Sequence, residues 1–125
     1  MNNQKIEQVF QEVLNVYKYE PPTLVFGNSI KDIYGTEHKV PYGMAMNFKK
    51  NVIFIIPDII CGWTKKEVVV GMLHELGHFL HAFWLFKMKE KNLISQKDVD
   101  EYSQKSGEDI ADYLAIKMWN RLKYQ

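Results

Sequence analysis

The residues of this chain best suited to do chemistry lie together in His74-Glu75-Leu76-Gly77-His78. On a helix, side chains at i and i+4 stand one above the other on one face. Two imidazoles placed that way can reach a single ion at about 2.0–2.1 Å, the zinc-to-nitrogen distance. Glu75 lies between them in sequence and projects toward the side where a bound water would sit. A carboxylate there serves as general base in metal-assisted hydrolysis. A catalytic zinc takes three protein ligands and keeps one position open. One zinc ion per chain therefore calls for a third donor.

Two residues compete for that place. His81 is the nearer, seven residues beyond His74, which separates the two Cα atoms by roughly 10.5 Å along a straight helix. No helix breaker follows it, since Ala82-Phe83-Trp84 continue the helix. Packing beside the site, or a hydrogen bond to a neighbour, is the expected role of His81. Glu108 is the better donor. In Glu108-Asp109-Ile110-Ala111-Asp112, the first and last residues share one helical face, with Ala111 and Ala115 beside them. Small residues let one helix approach another closely. Glu108 can then supply the third ligand. Asp112, one turn on, can accept a hydrogen bond from the non-ligating nitrogen of a zinc histidine and so fix its ring. Acids are favoured in a first helical turn anyway. That accounts for Glu108 and Asp109 without a metal, but not for Asp112 on a stripe with two alanines.

The elements that must position these groups follow from the hydrophobic pattern. Ile6, Val9, Phe10, Val13, Leu14 and Tyr17 fall on one face of a helix over 3–19, which Pro21-Pro22 ends. Residues 23–26 form a short strand. Residues 28–41 hold a short helical turn and a loop. A hairpin over 42–56 comes next: Met44, Met46 and Phe48 alternate, Lys49-Lys50-Asn51 turn, and Val52–Ile56 is a β-branched strand. The histidine helix starts at Thr64, whose spacing to Glu67 is that of a capping box, and runs to Lys87 or Lys89. It is apolar on both sides of the motif, unlike a surface helix. Gly77 costs about 1 kcal/mol relative to alanine in a helix interior, which implies a packing reason such as close approach of another element. Residues 90–105 are polar and read as a loop. A second capping box at Ser106 and Asp109 starts a last helix, from Gly107 or Glu108 to Leu122.

Length and composition set the bounds. A chain of 125 residues makes one domain. Its 46% apolar content is enough for a core, and its net charge of +1 argues against nucleic acid as a direct partner. Cys61 is the only cysteine, so no disulfide can form within the chain, which fits a reducing compartment. The polar start lacks a signal peptide's apolar core. The longest apolar stretch, 52–60, is interrupted by Pro57-Asp58 and is short of the roughly 20 residues a membrane helix needs. The expectation is a cytoplasmic protein that neither spans nor sits on a membrane, with its oligomeric state open.

Together, HELGH and the Glu108-x-x-Ala111-Asp112-x-x-Ala115 run that begins thirty residues beyond His78 resemble the ImmA/IrrE-type metallopeptidases. In that gluzincin-like family, zinc is held by two histidines and a glutamate. Gly43-Met44-Ala45-Met46, the strand at 52–56 and the helix after it follow the family's order, so the resemblance covers roughly residues 40–120. It implies an α+β fold: a compact zincin-like single domain over 1–125. A small, mostly antiparallel sheet would pack on a central HExxH helix with N- and C-terminal helices, and one edge strand would lie near the active-site helix. It makes His74, His78 and Glu108 the zinc ligands and Glu75 the catalytic acid/base. The stretch 65–73, Asp112 in place of the common asparagine, and 117–120 depart from the family pattern. They leave the metal site intact and the substrate open.

The function expected is peptide-bond hydrolysis in a protein or peptide partner, such as a repressor or other regulator of a phage or mobile element. Tyr42, Tyr102, Tyr113 and His38 are candidates for a further oxyanion donor. Three other readings stand beside it. One is a zinc-containing, antirepressor-like binding module with little or no peptidase activity. Another is a zinc-stabilised structural domain, which one cysteine makes a poor fit. The third is a peptidase lineage with a third histidine as ligand.

Overall fold

Seven elements make up the part of the chain that the computed structural model describes, residues 1–27 and 43–123. In order they are α1 (Asn3–Leu14), β1 (Thr23–Phe26), β2 (Met44–Asn47), β3 (Val52–Ile55), α2 (Pro57–Ile60), α3 (Lys65–Glu90) and α4 (Gln96–Lys123). The architecture is mixed α+β. The expected turn and loop at 28–41, with His38, and the candidate Tyr42 lie outside the described residues.

Asn2 caps α1, its side chain accepting from the Lys5 amide at 2.8 Å. Ile6, Val9, Phe10 and Val13 are its buried face. The α-helix stops at Leu14, short of the expected 19. The chain tightens into i→i−3 bonds, from Asn15 to Glu12, Val16 to Val13 and Tyr17 to Leu14. That change of course carries Val16 and Tyr17 into the core and stacks Tyr19 on Phe83 with ring centroids 5.3 Å apart.

The sheet order is β1-β3-β2. β2 and β3 form the expected antiparallel hairpin, with Met44 opposite Ile55 and Asn47 opposite Val52. Asn51 takes a left-handed φ of 54° in the turn, which asparagine tolerates better than most residues. β1 pairs with β3 in parallel, Thr23 opposite Val52. The sheet is therefore mixed, one parallel and one antiparallel pair, rather than mostly antiparallel. Ile53 and Ile55 on the central strand are fully buried.

Thr64 and Glu67 form the capping box that the sequence predicts: the Glu67 amide donates to Thr64 Oγ1 and the Thr64 amide to Glu67 Oε1, both at 3.2 Å. The helix beyond them buries Val68, Met72, Leu73, Leu76, Phe79 and Leu85. By length and composition α3 could cross a membrane, but half of its apolar window is buried inside this fold, as in a core helix. Phe48, just after β2, stacks on Phe86 at 5.1 Å and meets Phe83 edge-on at 5.1 Å and Phe79 at 6.2 Å. The hairpin turn is thereby fastened to α3.

The last helix corrects the sequence reading most. α4 begins at Gln96, so the expected loop over 90–105 is helical for most of its length, and Ser106–Asp109 lies in the helix interior. The box that starts the helix is Ser95 with Asp98. Asp98 Oδ2 accepts from the Ser95 amide at 3.0 Å, and the Asp98 amide donates to Ser95 Oγ at 3.2 Å. Glu108 and Asp112 thus sit in mid-helix, where a preference for acids in a first turn explains neither of them.

Candidate metal centre

α3 and α4 run antiparallel and touch backbone to backbone at Gly77. A Cβ placed on Gly77 would lie 2.4 Å from the carbonyl oxygen of Ala111 and 3.0 Å from its Cα. This is the packing reason that a glycine in the motif implies. The contact sets the rung on either side of it: His78 faces Glu108, and His74 faces Glu108 and Asp112.

The donors converge tightly. His74 Nε2 and His78 Nε2 are 3.1 Å apart. Glu108 Oε2 lies 3.0 Å from His74 Nε2, and Glu108 Oε1 lies 3.1 Å from His78 Nε2. Donors about 2.0–2.1 Å from a tetrahedral ion are about 3.3 Å from one another, so the spacing fits a common ion. His74, His78 and Glu108 form a group that could hold a metal ion, each offering one ligand atom within 4.8 Å of the others.

The hydrogen bonding points the same way. His74 Nδ1–H donates to Asp112 Oδ1 at 2.7 Å. A carboxylate only accepts, so this bond puts the proton of a neutral His74 on Nδ1 and turns the Nε2 lone pair toward the group. Burial holds the His78 imidazole below its ordinary value, with Glu108 opposing that shift and His74 adding to it. Neutral imidazoles and a carboxylate are metal-binding forms. Both histidine side chains are about one-fifth to one-quarter exposed, at 21% and 24%, against 74% for Glu108. The group is rooted in α3 and open to solvent on the α4 side.

Glu75 is partly buried beside this group. Burial, and then the Glu108 carboxylate, push its carboxyl up to about 8. A carboxyl tuned that far can exchange a proton near neutral pH.

The remaining candidates fall elsewhere. His81 is 4% exposed and stacks with Trp84, ring centroids 6.4 Å apart. It is outside the donor group, and its Nε2 finds no hydrogen-bond partner among the described residues. That is packing beside the site rather than ligation. Tyr113 and Tyr102 are exposed. Lys117 Nζ covers the Tyr113 ring at 4.9 Å, and no hydrogen bond joins either tyrosine to the donor group among the described residues.

One contributor escaped the sequence reading. Gly71, one turn before Glu75, brings β2 against α3: a Cβ there would lie 3.1 Å from Met44 Sδ and 3.2 Å from the Trp63 ring. The signal was a second glycine inside the same helix.

Comparisons of the chain with protein-family models, with curated proteins and with solved structures give no match.

Proposed function

We propose that this protein is a zinc metallopeptidase of the gluzincin kind, with a zincin-like arrangement of its site. One observation carries the reading. Two histidines and a glutamate from two helices converge on one point, with a proton-exchanging carboxylate beside them. Three protein donors leave one position open, the arrangement of catalytic rather than structural zinc.

His74, His78 and Glu108 would hold the zinc, which supplies Lewis-acid polarisation of the scissile carbonyl and of water. Asp112 keeps His74 in the tautomer and orientation that binding needs. Glu75 takes the proton of the attacking water on its carboxylate and delivers it to the leaving amine nitrogen. β2 is an edge strand among the described residues, and Gly71 holds it close to α3. A peptide backbone pairing with that edge would lie along the donor group, and main-chain hydrogen bonds would bind it with little regard to sequence. The substrate is then an extended segment of a protein, in keeping with a regulator as target. Cys61 is a free, exposed thiol, as a reducing compartment allows.

The test is Glu75→Gln, assayed with zinc-loaded protein on a proteome-derived peptide library. Cleavage is expected to fall by about 10²–10⁴-fold, with zinc content by native mass spectrometry unchanged. A variant that keeps both zinc and full cleavage overturns the role of Glu75. A wild type that binds zinc and cleaves nothing favours the regulatory binding module.

A further inference from the structure

Side chains four residues apart on a helix form a row along one face. The donor group belongs to two such rows. On α3 the row is Lys66, Val70, His74 and His78, and on α4 it is Glu108, Asp112 and Ile116. Because the helices run antiparallel, the rows meet in rungs. His78 Nε2 meets Glu108 Oε1 at 3.1 Å, and His74 Nδ1 meets Asp112 Oδ1 at 2.7 Å. Further along the same flank, Lys66 Nζ stands 5.8 Å over the Trp119 ring. Val70 and Ile116 are the rung between these last two contacts. They lie one helical turn from the donor group, about 6 Å along the axis.

That rung is apolar and open to solvent. Val70 is 47% exposed and Ile116 60%. The core does not call for either, since Val69, Leu73 and Ala115 beside them are the residues buried in it. A straight-chain polar residue suits a solvated helix position better than a β-branched one. Single exposed apolar residues are ordinary. Here two face each other beside the donor group, and the half-buried Trp119 closes the far end, so that they make a shelf. The opposite flank of the donor group has no counterpart. The next positions of the two rows there are Ala82, which is small, and Gln104, which is polar and exposed.

We infer, resting on the peptidase reading, that this shelf selects the substrate: it receives the aliphatic side chain of a residue directly beside the scissile bond, on one side of that bond only. A carbonyl held at the donor group lies one turn from the rung, a distance that a leucine- or methionine-sized side chain spans. Its burial against Val70, Ile116 and Trp119 removes apolar surface from water on both partners. Val70 and Ile116 are then specificity-determining residues, while main-chain pairing with β2 stays indifferent to sequence.

The probes are two hydroxamates, which chelate zinc through the same pair of oxygens: acetohydroxamate, without a tail, and isocaprohydroxamate, with a branched aliphatic one. Their binding to the zinc-loaded full chain is followed by calorimetry and by methyl NMR at Val70 and Ile116. Isocaprohydroxamate is expected to bind at least about tenfold more tightly and to shift the methyl signals of both residues. Val70→Gln and Ile116→Gln should each remove most of that advantage and leave acetohydroxamate affinity unchanged. Leu93→Gln, which removes an exposed leucine from the α3–α4 connection, should change neither. Cleavage sites in a peptide library should show aliphatic residues enriched at one of the two positions flanking the cut, an enrichment lost in Ile116→Gln. Equal affinity of the two hydroxamates, an advantage kept in both shelf variants, or an advantage lost in Leu93→Gln would overturn the shelf and leave the metal centre standing. Failure of acetohydroxamate itself to bind would overturn the metal-centre reading, and the shelf with it.

Discussion

Two neighbouring stretches of α3 carry histidines with opposite surroundings. At 74–78, the facing helix brings Glu108 and Asp112 within 3.1 Å of the ring nitrogens. One turn further, His81 is buried beside Trp84, its Nε2 without a hydrogen-bond partner among the described residues. Both stretches lie on the same helix at helical spacing. The difference comes from α4, which presents carboxylates to one stretch and none to the other. Histidine spacing alone does not make a donor group. The second helix does, and Gly77 decides how near it comes.

The sharpest way to break this comparison is to exchange the fates of the two stretches. Glu108→Ala should weaken zinc binding by more than about 100-fold, beyond the range of residues that only support ligands. His81→Leu should leave one zinc per chain and equal or higher stability, since it removes a buried unpaired nitrogen. Native mass spectrometry with a zinc-competition titration reads the first, and denaturant unfolding reads the second. Zinc lost from the His81 variant instead would reverse the assignment.

Next in size is Gly77→Ala. The added methyl meets the Ala111 backbone, which has no rotamer to change, so α4 must move. A loss of about 1–3 kcal/mol in unfolding free energy is expected, together with weaker zinc binding. An unchanged melting curve would mean that the helix contact does not set the group.

A smaller effect sharpens the electrostatics. In zinc-free protein, Glu75 holds its proton up to about 8, above the ordinary 4.5. The folded state thus binds that proton more tightly than the unfolded chain. The stabilising contribution is complete below 4.5 and is lost as pH rises from 4.5 to 8. Glu75→Gln should therefore gain stability over wild type across that window, by something on the order of 1 kcal/mol for a partly buried group. A gap that stays flat between pH 5 and pH 8 would show that the carboxyl is not shifted.

Much of the α3 side was legible in the sequence. Thr64 and Glu67 declare the helix start, and the histidine spacing and Gly77 are local signals. Glu108 and Asp112 were legible as a shared face with alanines. What failed was the start of α4. Ser95/Asp98 and Ser106/Asp109 have the same spacing, and the helix before Gly107 buries only Val99. Without an apolar stripe, the first stretch of α4 reads as loop. The parallel pairing of β1 with β3 is a long-range choice that neither strand states locally. The end of α1 turned on tertiary packing, since Val16 and Tyr17 gain burial by leaving the helical path.

The Phe48 cluster has a bearing on how the edge of β2 is used. Met44 is held against Gly71 at one end of the strand, and Phe48 is wedged among Phe79, Phe83 and Phe86 at the other. Both anchors are on α3. The edge of β2 that is unpaired among the described residues is therefore a fixed template rather than a loose ribbon, and a chain that pairs with it need not first order the strand it pairs with. The ordering entropy of association falls on the incoming segment alone. That favours segments already extended or unfolded, and it disfavours the same sequence while it is folded into a helix or a buried strand of its own protein.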